Sequence, residues 1–150
     1  MLPVLITTIA LLLVCVFIHY RALHFLNQFL TTLQLRPGLK MGVGLLGAIV
    51  AHVFEIILFA VAYRTLARFE RFGHIAGDIS HELRDYTYFS FTTYSTLGYG
   101  DLTPEGPLRI VAGVESLIGL VLVAWTASYL FLEMQRYWTP AAPVDGQVTG

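Results

Sequence analysis

Three long apolar segments constrain the fold of this 150-residue chain more than any other feature. Leu2 to Ile18 is almost uninterrupted, and Met41 to Leu66 is longer. Leu108 to Met134 is interrupted by Arg109 near its start and by Glu115 within it. A helix needs about 20 apolar residues to cross the hydrocarbon core of a bilayer. The segments therefore predict an all-α membrane protein with three transmembrane helices.

The composition favours the same class of protein. Only 13% of the residues are charged, against about 25% in soluble domains, and the mean hydropathy is +0.68. The net charge is −1 and the nine Lys and Arg residues are spread along the chain, so no basic surface for nucleic acid is expected. The single cysteine, Cys15, has no partner for an intrachain disulfide. We expect it to face lipid or to pack between helices.

The N-terminal segment has two interpretations, a signal peptide and an uncleaved span. No Lys or Arg precedes Arg21 and no small-residue cleavage site follows the apolar run, which favours the span. Beyond it, residues 19–35 carry leucines at helical spacing with polar residues between them. This pattern predicts an amphipathic helix that either extends the first span or lies along the membrane interface. Residues 1–40 are thus expected to hold a transmembrane helix and an amphipathic interfacial helix.

The second apolar segment contains Gly42 to Gly47, which formally matches G-x-G-x-x-G. A dinucleotide site would need a preceding strand and a βαβ unit, and the segment instead opens a long apolar helix after Pro37. We interpret Gly44, Ala48 and Ala51 as positions where another helix approaches closely.

His52 and Glu55 lie three residues apart on one face of this helix. An acidic side chain inside a span is costly and usually faces protein or water. Three interpretations remain open: a polar pair that packs the helix against its neighbours, a pH-sensing or ion-coupling site, or a hydrated position near the interface. A metal site would need more ligands than this pair supplies.

The stretch between the second and third apolar segments divides into two parts. Arg64 to Asp85 is polar and nearly neutral, which indicates a solvent-facing link. Tyr86 to Ser95 is too short to span a bilayer and is rich in aromatic and hydroxyl side chains. With Asp85 as its N-cap, it predicts a short helix that reaches half the membrane depth and leads into a loop.

The loop at residues 96–101 reads Thr-Leu-Gly-Tyr-Gly-Asp. Consecutive backbone carbonyls can replace the water around a cation only when they all point to one axis. That geometry requires alternating backbone conformations, some with positive φ, which the two glycines adopt freely. We expect Thr96 to contribute its carbonyl and its hydroxyl, and Leu97 and Tyr99 to turn away from the axis.

Tyr99 is expected to wedge against aromatic side chains of the short helix, with Tyr88 and Phe89 as partners. One chain supplies only one strand of a carbonyl ring, and the motif occurs once. The sequence therefore predicts a homotetramer around a central axis, within a lipid bilayer.

The Thr-x-Gly-Tyr-Gly-Asp run, after a short aromatic segment and between two spans, resembles the selectivity filter and pore module of potassium channels over residues 85–133. The resemblance implies a passive potassium channel with K⁺ as its only cofactor and no organic one. It implies that the following residues bind K⁺: Thr96, Leu97, Gly98, Tyr99 and Gly100.

Two positions depart from the family pattern. The family usually has Val or Ile where this chain has Leu97, which affects the packing behind the filter. Some relatives place a glutamate at the position of Thr92 to hold the acid behind the filter, which is Asp101 here. We expect Asp101 to hydrogen-bond Tyr88 or Arg109 instead.

The resemblance also implies roles on the inner helix. Gly119 falls at the position of the family's glycine hinge, and Val123, Ala127 and Phe131 follow at helical spacing as cavity or gate residues, with Phe131 as a hydrophobic constriction. The alternative is that these residues only pack between helices. Glu115 is expected to bond the base of the pore helix or the rear of the filter, or to sense protons or ions.

The predicted organisation places a pore domain at residues 41–138. Its parts are an outer helix at 41–68, a pore helix at 85–95, the filter at 96–101 and an inner helix at 107–137, followed by a disordered tail at 139–150. The link between the first two spans carries Arg21, Arg36 and Lys40 without an acid. The positive-inside rule then places this link and the C-terminus in the cytoplasm, and the N-terminus outside the cell membrane.

Three functional classes remain open: a potassium-selective channel, a weakly selective cation channel, and a non-conducting membrane adaptor. An enzyme is not expected, since no nucleophile–base pair or ligand cluster is visible. A voltage sensor is not expected either, since the sequence has no run of four or more spaced arginines.

Overall fold

The computed structural model describes residues 2–138, with side chains described through residue 136. The tail predicted at 139–150 lies outside this range. The elements are α1 (Leu2–Thr32), α2 (Pro37–Leu66), a 3₁₀ turn (Glu70–Phe72), β1 (Ile75–Ala76), α3 (Leu83–Tyr94), β2 (Thr103–Pro104) and α4 (Leu108–Trp138). Helices α1, α2 and α4 are each long and apolar enough to cross a membrane. The prediction of an all-α membrane protein with three spans is confirmed.

Helix α1 is continuous, so a separate interfacial helix does not form. Of the two sequence interpretations, the amphipathic stretch extends the first span, because residues 4–36 contain no Gly or Pro to interrupt the helix. Helix α2 begins at Pro37 rather than at residue 41. Proline suits the first helical turn, where its missing N–H would have no partner in any case.

Small residues on α2 let α1 pack closely against it. A Cβ added at Gly44 would lie 3.3 Å from Leu30 Cδ1, and one added at Gly47 would meet the side chain of Leu26. Ala48 is 1% exposed and packs in the same cluster as these two leucines. Two of the three glycines that formally match a nucleotide motif, Gly44 and Gly47, are therefore used for helix packing, whereas a Cβ added at Gly42 would meet open space.

Helix α3 is held between α2 and α4 by an apolar core. Phe59 and Tyr63 of α2, Phe89 of α3, and Val111 and Leu122 of α4 are all buried within one cluster. The rings of Tyr63 and Phe89 meet edge to face, with centroids 5.0 Å apart. This core positions the C-terminal end of α3, where the loop begins.

The link between α2 and α3 contains regular structure, a 3₁₀ turn and the short strand β1, and it packs against the segment after the loop. Strands β1 and β2 pair antiparallel, with Ile75 opposite Pro104 and Ala76 opposite Thr103. A Cβ added at Gly77 would meet the carbonyl of Asp101, so the absence of a side chain lets this link lie directly behind the loop.

The prediction that Asp85 is the N-cap of α3 is wrong. The helix begins at Leu83 after Glu82, and Asp85 lies in its first turn. The Asp85 carboxylate accepts hydrogen bonds from the Ser80 backbone N–H at 2.9 Å and from Ser80 Oγ at 2.5 Å. These bonds hold the pKa of the Asp85 carboxyl below its ordinary value. They also attach the segment before α3 to the first turn of that helix.

Candidate ion-conducting loop and its supports

The loop that follows α3 has the alternating backbone that a carbonyl ring requires. Thr96, Gly98 and Gly100 have φ values of 59°, 49° and 84°. The residues between them, Leu97 and Tyr99, are not among the positive-φ residues. The sequence predicted this conformation at the glycines but not at Thr96, since a β-branched residue rarely adopts a positive φ.

One hydrogen bond attaches the loop to the end of α3, and another attaches the end of α3 to α4. The Gly98 N–H donates to the Thr92 carbonyl at 3.0 Å, and Ser116 Oγ of α4 donates to the Thr93 carbonyl at 2.9 Å. The Thr92 side chain is buried, and its hydroxyl donates to the Phe89 carbonyl at 3.0 Å. Thr92 therefore supports the loop through its backbone, whereas its side chain stays within α3.

Asp101 is held by Tyr88 and not by Arg109, which settles the two alternatives. Tyr88 Oη donates to Asp101 Oδ2 at 2.7 Å. This bond holds the pKa of the Asp101 carboxyl below its ordinary value, and the neighbouring carboxylate raises the pKa of the Tyr88 phenol. Arg109 is exposed at the start of α4 and lines a groove of about 520 Å³ beside the loop.

The aromatic wall expected for Tyr99 is not built from this chain alone. Phe89 faces inward and packs on Tyr63. Tyr99 is 68% exposed and Leu97 is 56% exposed on the single chain. Both side chains turn outward, so any wall behind the loop needs atoms from outside this chain.

Glu115 joins three helices in the core behind the loop. It is fully buried and accepts hydrogen bonds from Tyr63 Oη of α2 and Ser90 Oγ of α3, each at 2.5 Å. Ser90 lies in the middle of α3, so Glu115 bonds the body of the short helix rather than its base or the rear of the loop. Ser90 Oγ also lies 2.8 Å from the Ile56 carbonyl.

The residues predicted for a hinge or gate divide into two groups. Gly119 is buried, and a Cβ placed there would meet the Tyr94 carbonyl. Its lack of a side chain therefore lets α4 cross close to the end of α3, and α4 continues as a helix through this position. Val123, Ala127 and Phe131 are exposed on the single chain and occupy one face of α4 at a spacing of four residues.

His52 and Glu55 belong to a larger polar cluster, defined here as His19, His52, Glu55, Tyr94 and Thr126. Glu55 is fully buried. It lies 2.9 Å from His19 Nδ1, 3.1 Å from His52 Nδ1 and 2.5 Å from Tyr94 Oη. On the far side, Thr126 Oγ1 lies 3.0 Å from His52 Nε2 and 3.3 Å from His19 Nε2. The cluster joins all four helices, and Tyr94 is the last residue of α3.

Sequence reasoning missed five of the partners that complete these sites: His19, Tyr63, Ser90, Tyr94 and Thr126. The available signal was the same as for Glu55, since a polar side chain inside an apolar helix needs a partner. Which partner it meets depends on how the helices face each other, and one sequence does not show that.

Comparison with known proteins matches the chain to a protein family. The model of a protein family described as an ion channel matches residues 51–136, which is more than half of the chain and contains the loop, its supports and α4 up to residue 136. No curated protein and no solved structure matches the chain significantly.

Proposed function

Because the chain belongs to the ion channel family, we propose that it is a potassium-selective channel that conducts K⁺ passively across the cell membrane. Four copies surround one pore, and each contributes the backbone carbonyls of residues 96–100. In this proposal the protein is a transport protein rather than an enzyme, and its bound ions are dehydrated K⁺. The N-terminus lies outside and the C-terminus in the cytoplasm, as Arg36 between α1 and α2, Lys40 in the first turn of α2 and Arg21 in the second half of α1 favour.

The observation that carries the proposal is the run of positive φ values at Thr96, Gly98 and Gly100. Alternation between positive and negative φ turns successive carbonyls toward the same side of the backbone. Such a row of oxygens, repeated around an axis, can replace the hydration shell of a cation. The outward exposure of Leu97 and Tyr99 agrees with carbonyls that point the other way.

The electrostatics of α3 support a cation at this place. The helix ends at Tyr94, directly before the loop, and the C-terminal end of a helix carries a partial negative charge. With four copies, four such ends would face the central cavity. Asp101 adds a carboxylate at the outer side of each loop.

Flux measurements test the proposal directly. Purified protein is reconstituted into liposomes loaded with K⁺, and an outward K⁺ gradient is imposed. The liposomes are expected to release K⁺, and barium is expected to block the release. Gly98→Asp should abolish the flux, because position 98 needs a positive φ and the added carboxylate would displace the carbonyls. Gly38→Asp is the matched control, since Gly38 lies in the first turn of α2 with open space around it. Unchanged flux in Gly98→Asp would overturn the assignment of the loop.

Reversal potentials in mixed sodium and potassium distinguish the alternatives. A reversal potential near the equilibrium potential of K⁺ supports potassium selectivity. A reversal potential midway between the equilibrium potentials of K⁺ and Na⁺ indicates a weakly selective cation channel. An assembled protein that passes neither ion would instead be a membrane adaptor with a pore fold.

A further inference from the structure

The polar cluster contains more hydrogen bonds than its neutral side chains have protons. Glu55 faces His19 Nδ1, His52 Nδ1 and Tyr94 Oη, and Thr126 Oγ1 faces the Nε2 atoms of both histidines. Each of these five contacts needs one proton, and a sixth contact, between His52 Nδ1 and Tyr94 Oη at 2.9 Å, competes for the same protons. With both imidazoles neutral and Glu55 ionised, the histidines and the two hydroxyls supply only four. At least one contact would then oppose two lone pairs, so the arrangement favours an additional positive charge.

The side-chain atoms that converge in the cluster are those that bind divalent transition metals. The ligand atoms of His19, His52 and Glu55 lie within 4.8 Å of one another. Tyr94 Oη lies 2.5 Å from Glu55 Oε2 and 2.9 Å from His52 Nδ1. Tetrahedral zinc with bonds of about 2.0–2.1 Å separates neighbouring ligand atoms by about 3.4 Å. Small side-chain rotations therefore suffice to open a four-ligand site.

The far side of the cluster already carries the acceptor that such a site needs. A histidine that binds a metal through Nδ1 holds its proton on Nε2 and donates it to a nearby oxygen. Thr126 Oγ1 lies within reach of both Nε2 atoms and can accept both protons. When a metal replaces the contacts around Glu55, the two remaining contacts, from the Nε2 atoms to Thr126 Oγ1, each have one donor and one acceptor.

We propose that the polar cluster is a binding site for one divalent transition metal ion, such as Zn²⁺, with His19, His52, Glu55 and Tyr94 as its ligands. Binding releases two protons to solvent, the additional one held by the empty cluster and the phenol proton of Tyr94. The dication, the carboxylate and the phenolate then have no net charge, which suits a site between spanning helices. The bound ion would tie α1 to the last residue of α3, next to the loop. The proposal is independent of which ion the loop conducts.

Cobalt binding provides the test, because Co²⁺ in a tetrahedral site absorbs visible light and Zn²⁺ displaces it. The full chain without an affinity tag is purified in detergent, stripped with a chelator and titrated with Co²⁺. We expect one Co²⁺ per chain, displacement by one Zn²⁺, and a higher unfolding temperature with Zn²⁺. His19→Asn keeps an N–H donor near the place of Nδ1 but removes the ligand, and it should weaken binding more than about 100-fold.

Two further variants keep the test decisive if His19→Asn does not fold. Tyr94→Phe should change the cobalt spectrum by removing an oxygen ligand, and Thr126→Val should weaken binding about 10- to 100-fold. The matched controls are His24→Asn and His74→Asn, whose side chains are exposed, and both should bind as the wild type does. Absence of the visible absorption in the folded wild type would overturn the proposal and assign the additional charge to a proton. Binding that is unchanged in all three cluster variants, or that is lost in either control, would overturn it as well.

Discussion

At the scale of single residues, the hydrogen bond between Tyr88 and Asp101 is expected to depend on pH, because it lowers the pKa of the Asp101 carboxyl. Its folded pKa lies below the ordinary value of about 3.9. Folding therefore favours the charged form, so the bond is present above about pH 4 and is lost as the pH falls through the folded pKa. Tyr88→Phe removes the donor, and we expect the Asp101 pKa to rise toward its ordinary value in a carbon-13 NMR titration of the labelled carboxyl.

Asp85 serves as the internal control in the same spectra. Its pKa is lowered chiefly by Ser80, so it should stay low in Tyr88→Phe and rise in Ser80→Ala. If the Asp101 pKa is the same with and without the Tyr88 hydroxyl, the hydrogen bond does not form in solution.

Glu115 is the second residue whose contribution can be isolated. Glu115→Leu leaves the Tyr63 hydroxyl buried without its acceptor, whereas Ser90 can still donate to the Ile56 carbonyl. An orphaned buried donor costs about 1–3 kcal/mol, so the free energy of unfolding in a detergent titration should fall by that amount. The double variant Tyr63→Phe/Glu115→Leu should recover part of the loss, because neither partner is then left unpaired. Glu105→Gln, at an exposed carboxylate, should change little, and additive losses in the double variant would argue against the bond.

At the scale of elements, the close crossing of α3 and α4 depends on Gly119. Gly119→Ala places a Cβ against the Tyr94 carbonyl, which is backbone and cannot rotate aside. We expect a lower unfolding temperature together with reduced flux, since the end of α3 leads into the loop. Gly113→Ala on the same helix has open space and should be neutral or stabilising by up to about 1 kcal/mol. If Gly119 served only as a hinge and not in packing, Gly119→Ala would keep the wild-type unfolding temperature and change the gating.

The elements that sequence predicted well are those with local causes. The apolar runs predict the three spans, and Thr-Leu-Gly-Tyr-Gly-Asp marks the loop. The unbroken α1 also has a local cause, the absence of Gly and Pro, although residues 19–35 allowed two interpretations. The pairs His19–Glu55 and Tyr63–Glu115 are 36 and 52 positions apart, and they depend on which faces of the helices meet. The positive φ of Thr96 likewise follows from the surrounding structure and not from the preference of threonine.

At the scale of the whole molecule, the single chain leaves large apolar side chains uncovered around the loop and on α4. Tyr99 is 68% exposed, Leu117 63%, Leu120 59% and Leu97 56%. A loop with irregular backbone is tolerated at membrane depth only when protein surrounds it or when it lines a cavity. Since this chain does not cover the outward side of its own loop, neighbouring copies are the proposed cover, and four copies would close a ring.

Native mass spectrometry of the purified protein tests this assembly. We expect the main species to contain four chains of 16.7 kDa each. Tyr99→Ala should shift the distribution toward smaller species, because burying a large side chain contributes about 1.5–3 kcal/mol and the assembly would lose four such contributions. Tyr20→Ala is the control, since Tyr20 is 51% exposed on α1 rather than beside the loop, and it should leave the tetramer intact. A wild-type species of one or two chains that persists in lipid nanodiscs would contradict the tetramer, and with it the carbonyl ring that needs four loops.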